Sequence, residues 1–192
     1  MLDPVRLGLR ALFAPLLMLL GAVLVELAEG RPPICPCGTV EWWGSAGPRQ
    51  SQMLVDWYST SHLVHGFLFY AVLWFALRRR PVALRLLVAT VIEAAWELLE
   101  NSPMVIARYR QSALAMGYNG DSVLNSASDI VMMMIGFWLA SRVPKWGSMV
   151  AVLALELVPL LVIRDNLALN IVQLVAPNDQ LSAWQARGGT KN

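Results

Sequence analysis

The sequence predicts an all-α fold: one polytopic bundle of about five transmembrane helices spanning residues 1–192, closed by a C-terminal interfacial helix. Two observations predict it. Only 15% of the residues are charged and 57% are hydrophobic, whereas an ordinary soluble domain carries about 25% charged residues. The apolar residues also gather into blocks of roughly 16–20, near the ~20 that a helix needs to cross hydrocarbon.

The elements follow in order. A basic start, MLDPVRLGLR, leads into ALFAPLLMLLGAVLVELAEG, which gives a first span over 8–27. Signal-peptide cores run about 7–15 residues and end at a small-residue cleavage site. This block is longer and has no such site, so it reads as an uncleaved anchor. Residues 28–59, rich in Pro, Gly, Trp and charge, form an outer loop. A second span covers 60–77 and stops at Arg78, Arg79, Arg80 and Pro81, since proline cannot continue a helix without losing a hydrogen bond. The third span is 82–99, a polar outer loop covers 100–121, and the fourth span is 122–141, ended by Arg142, Pro144 and Lys145. The fifth is 148–163. LALNIVQLV then reads as an interfacial helix too short to span, and the last residues read as a polar tail.

Lys and Arg in short loops set orientation. Arg6, Arg10, Arg78, Arg79, Arg80, Arg85, Arg142 and Lys145 crowd the start and the two tight turns; Arg31, Arg49, Arg108, Arg110, Arg164, Arg187 and Lys191 are spread through longer segments. Their density predicts a bacterial inner-membrane protein with a cytoplasmic amino terminus and a periplasmic carboxyl terminus. Trp42, Trp43 and Trp57 then fall where an aromatic belt sits. The net charge of +2, with basic residues beside apolar blocks and not on one aromatic-laced face, excludes nucleic acid as a partner. Cys35 and Cys37 are too few for a disulfide framework and too close for a four-ligand zinc site. They read as structurally incidental, the alternatives being a disulfide or half of a metal site.

Ionisable groups within spans cost about 2.5–3.5 kcal/mol each on insertion, so their positions carry the chemistry. His62 and His65 stand three apart at the start of the second span; Glu93, Glu97 and Glu100 follow one face of the third. The topology brings His62, His65, Glu97, Glu100, Asp121 and Asp129 to one outward-facing pocket as candidate catalytic groups. Asn101, Asn125, Arg108 and Arg110 are candidate substrate contacts, the arginines suiting a phosphate at the rim. His and carboxylate can share a proton or ligate a divalent metal. The competing reading is interhelical glue, at about 0.6 kcal/mol per hydrogen bond. No G-x-S-x-G or phosphate-cradling glycine loop occurs, and Ser59, Ser61 and Ser122 read as helix caps. Glu156 reads as paired with another helix, Glu26 and Arg85 as snorkelling to the interface, and the IVMMMIGF methionines as packing.

The strings DWYSTSHLVHGFLFY, EAAWELLENSPMVIARYR and GYNGDSVLNSASDIVMMMIGF resemble a family of bacterial multi-pass inner-membrane proteins without an assigned activity. The resemblance implies an inner-membrane location and several helices. The order of an outer-facing His, a Glu-bearing helix and an Asp/Asn-bearing helix is distantly similar to VanZ-like proteins, which are associated with glycopeptide resistance. Those proteins often carry an Asp-Lys pair before their His, where this chain has Ser61 and His62 before His65. Two functions stay open: an enzyme acting on a lipid or lipid-linked cell-envelope substrate, or a non-catalytic scaffold that binds a membrane partner protein. Transport fits less well, because no internal repeat is visible.

Overall fold

Every apolar block of the sequence is helical in the computed structural model, which describes residues 9–47, 49–110 and 117–187. Arg6 and Lys191, used above for orientation, lie outside the described residues. A 3-10 turn precedes α1 (Phe13–Ala28); α2 covers Ser59–Ala76, α3 Val82–Glu100, α4 Pro103–Tyr109, α5 Val123–Ala140, α6 Lys145–Ile163, α7 Leu167–Val175 and α8 Asp179–Ala186. Among the described residues there is no strand, only an isolated bridge between Trp43 and Val55.

Local chemistry sets the boundaries. Pro81 and Pro144 stand just before α3 and α6, where a missing N–H costs nothing. Ser122 accepts a hydrogen bond from Asn125 N at the start of α5 (3.2 Å), as Asn166 does from Leu169 N at α7 (2.9 Å). Arg164 ends α6 in the left-handed region, φ 57°.

Several expectations are corrected. The loop expected at 100–121 contains α4, capped by Ser102 with Pro103 in its first turn. The polar tail contains α8, capped by Asn178 and docked by Gln185, whose amide donates to Arg164 O (3.2 Å) and Asp165 Oδ1 (3.1 Å). Cys35 and Cys37 form a disulfide, so they are not incidental. Of the three serines, Ser122 is a cap. Ser59 instead accepts from Asp56 N and donates to Asp129 (2.8 Å), and Ser61 is buried inside α2. The amides of Tyr58 and Ser59 are satisfied by Asp56 Oδ1. Glu26 and Arg85 do not reach an interface: both are buried, and Arg85 lies over the Tyr70 ring, 5.7 Å from its centroid. Glu156, by contrast, pairs with another helix as expected: it accepts from the amides of Leu167 and Ala168 at the start of α7 (3.2 Å each).

The closest packing joins α2 to α5. A methyl group added at Gly66 would overlap the Met133 carbonyl and the Gly136 backbone, and one added at Gly136 would overlap the Leu63 carbonyl. Small residues let helix backbones approach in this way. Beside this crossing Leu73, Leu86, Ala89, Met133 and Phe137 form the core, with Tyr70 edge-on to Phe137 at 5.2 Å. Ala22, Ala94 and Ile130 join α1, α3 and α5. The opposite face of α1 is bare hydrocarbon (Leu16, Leu20, Leu24), as is α6 (Met149, Leu153, Leu157, Leu161). By length and composition two described helices, Val123–Ala140 and Lys145–Ile163, are apolar enough to cross a membrane; α1 is apolar but shorter.

Candidate functional site

The loop before α2 folds over one end of the bundle and fixes its polar groups. Ser122 N, Val123 N and Leu124 N, left free at the start of α5, donate to the carbonyls of Ser51, Pro32 and Pro33. Asn125 Nδ2 donates to Met53 O (2.8 Å). Asn101 sits where α3 ends. It accepts from Asp121 N (2.6 Å) and donates to Asp121 Oδ2 (3.1 Å) and Ser126 Oγ (3.0 Å). Burial pushes the Asp121 carboxyl up, against hydrogen bonds such as that from Tyr118 that pull it down.

Beneath this cover lies a partly open cavity of about 1170 Å³ among the start of α2, the end of α3, the start of α5 and α7. Its lining is mixed: apolar Phe69, Ile92, Trp96, Leu167, Ile171 and Leu174 share it with the polar His62, His65, Glu93, Glu100, Asp121 and Asp129. Five of the six groups expected to converge therefore share one cavity, and Glu97 stands behind His62, fully buried.

The centre of the polar group is a contact between α2 and α3. His62 Nδ1 lies 2.6 Å from Glu93 Oε1, and His65 Nδ1 lies 3.1 Å from both Glu93 oxygens. His62 Nδ1 is also 3.3 Å from Glu97 Oε1, while its Nε2 is 3.7 Å from Asp129 Oδ2. Glu93 and Glu97 have no solvent exposure, and among the described residues neither oxygen of Glu97 is in a hydrogen bond. His65 is half-buried, stacked on Phe69 with centroids 5.7 Å apart. His62, His65 and Glu93 place one ligand atom each within 4.8 Å of one another, as do His62, Glu97 and Glu100. The set can move a proton between imidazole and carboxylate or hold a cation.

The expected substrate contacts separate. Asn125 lines the cavity, and Asn101 does not. Arg108 and Arg110 do not line it either. Arg108 donates from Nε to Leu174 O at the end of α7 (2.8 Å), and Arg110 from Nε to Tyr118 O (2.6 Å), so both are drawn into loop and helix-end contacts. The arginine on the cavity is Arg31, whose guanidinium donates to the Asn119 and Asp121 carbonyls. Glu93 is the central residue absent from the expected set, although its position on the Glu97 face was the signal for it. Tyr58 and Tyr109 had no sequence signal: Tyr58 donates to Asp165 (2.8 Å) and Tyr109 to Asn170 Oδ1 (3.0 Å), tying the α6–α7 region to the cavity.

A family profile described as a protein of unknown function (DUF2585) matches residues 26–187. The chain is similar to a UPF0314 protein of Agrobacterium fabrum, 50% identical over 170 residues that cover 88% of this chain and 86% of the relative. A UPF0314 protein of Sphingopyxis alaskensis is 49% identical over 177 residues, 91% of this chain and 93% of the relative. One of Rhizobium etli is 48% identical over 170 residues, 88% and 87% of the two chains. No solved structure matches the chain.

Proposed function

We propose, from the premise that this chain belongs to the DUF2585 family, that it is an integral bacterial inner-membrane protein whose five long helices cross the bilayer. Its outward cavity binds an amphiphilic, lipid-linked cell-envelope molecule and acts on it at the His/carboxylate cluster. The observation that carries the reading is the mixed lining of the cavity: six apolar side chains share it with the paired histidines and Glu93. Such a lining suits a ligand that brings both an apolar chain and a polar headgroup.

Membrane insertion is supported by the bare apolar faces of α1 and α6, since a water-soluble chain rarely leaves so large a contiguous patch uncovered. The polar groups that lower the hydropathy of α2 and α3, His62, Glu93 and Glu97, are turned inward and need not meet lipid. The chemistry the cluster supports is removal of a proton from water or a substrate hydroxyl, with the carboxylates balancing the charge that develops. Part of the polar set serves as glue: Asn101 with Asp121 and Ser59 with Asp129 join separate segments. The scaffold reading predicts the same for all of it, but His65 and Glu100 are only half-buried and line the cavity.

The test is mass spectrometry of lipids retained by the full chain in native-membrane nanodiscs. The expected result is one amphiphile enriched over bulk membrane in the wild type and lost in Ile171→Asp, which charges the apolar part of the lining. A wild type carrying only bulk lipid would sink the reading.

A further inference from the structure

We propose that His62, His65 and Glu93 form a binding site for one divalent cation of the zinc class, with Glu97 and Asp129 beside the His62 ring. The inference deepens the pocket reading and rests on it for the ion's use, though not for its binding. His62 Nδ1, His65 Nδ1 and Glu93 place their ligand atoms within 4.8 Å of one another, and Glu97 Oε1 lies 3.3 Å from the same nitrogen of His62. Each of these atoms can offer a lone pair to a cation when its imidazole or carboxyl carries no proton there.

A second, independent feature points to a ligand. Glu97 is fully buried and neither of its oxygens is hydrogen-bonded among the described residues, with His62 Nδ1 beside it at 3.3 Å; a buried carboxyl so placed is costly unless something compensates it. A divalent ion beside Glu93 and Glu97 would do so. Metal–ligand bonds of about 2.0–2.1 Å in a tetrahedron separate ligand atoms by about 3.3 Å. The 3.1 Å contact of His65 with Glu93 is near that spacing, and the 2.6 Å contact of His62 with Glu93 would open when an ion enters. Asp129 Oδ2, 3.7 Å from His62 Nε2, lies on the far side of the ring, where a slightly closer approach would let a carboxylate accept from the Nε2–H of a metal-bound histidine. Two imidazoles with carboxylates form a zinc-type donor set, whereas an all-oxygen set would select calcium or magnesium. The ion sits among the polar lining residues, where a bound water would be acidified for attack on a substrate in the cavity.

The experiment uses the purified full chain in detergent, stripped by a chelator and titrated with Co(II), with absorption read in the visible and total metal by elemental analysis. One equivalent per chain with tetrahedral d–d bands is expected. His62→Ala, His65→Ala and Glu93→Gln should abolish the bands, and Asp129→Asn should weaken binding by about 10–100-fold. Should a variant fail to fold, the wild type decides alone: its thermal midpoint falls on chelation and returns with Zn(II). No stoichiometric metal in the wild type, or Co(II) bands unchanged in all four variants, overturns the site. A metal-free wild type that still carries its amphiphile overturns the metal and leaves the pocket standing.

Discussion

Asp165 links the three C-terminal helices to the cavity rim, and its titration is readable. It accepts from Tyr58 OH (2.8 Å), Asn166 N (3.0 Å) and Gln185 Nε2 (3.1 Å), and burial raises its carboxyl from 3.8 to about 6. A folded-state value above the unfolded one means that the folded chain holds the proton longer. Its contribution is full below about pH 4 and is lost as pH rises through 6, on the order of 2–3 kcal/mol. The thermal midpoint of wild type relative to Asp165→Asn should therefore fall between pH 4 and 6.5; a gap independent of pH would refute this. At this scale the sequence was only partly legible. That Glu93, Glu97 and Glu100 share a face follows from spacing, but which of them meets the histidines depends on how α3 is rotated against α2. Arg108 and Arg110 looked free for a phosphate because a sequence shows charge and not the carbonyls of Leu174 and Tyr118 that engage it.

Among the elements, α2 and α5 form the crossing on which the cavity depends, since His62 lies one turn from Gly66 and Asp129 two turns from Gly136. Gly66→Ala and Gly136→Ala push a methyl into opposing backbone, which cannot rotate away, and each should cost ~1–3 kcal/mol. Gly21 on α1 has nothing within 4 Å of the position a methyl would take, so Gly21→Ala should be neutral or stabilising by up to about 1 kcal/mol. Thermal unfolding of the three variants in one detergent checks both halves; equal midpoints for all would remove the crossing from the argument. The glycines are plain in the sequence, but neither forms a repeated motif that marks a contact. α4 could have been found from Ser102 and Pro103, a cap followed by a first-turn proline. α8 had a signal in Asn178, masked by the polarity of the segment that follows.

For the molecule as a whole, the basic turns and the cavity occupy opposite ends of the antiparallel helices, because α2 and α5 begin at the cavity and α3 ends there. If the five helices span, a cysteine at Arg79 should be labelled by an impermeant maleimide only after permeabilisation, and one at the exposed Trp42 in intact spheroplasts. Both are placed in a Cys35→Ser, Cys37→Ser background. The reverse pattern would invert the orientation, and labelling of both in intact cells would refute spanning. By itself the sequence determined the all-helical class, the approximate positions of the five long helices and of α7, and the gathering of His62, His65, Glu100, Asp121 and Asp129 at one end, since hydropathy blocks, proline stops and charge are written linearly along the chain. Only the tertiary structure decided that Glu93 is the residue between the histidines, that Glu26 and Arg85 are buried and that the helix Glu156 pairs with is α7. Those outcomes depend on helix rotation, close approach at glycine and competition among backbone acceptors, which join residues far apart in the chain and leave no local pattern.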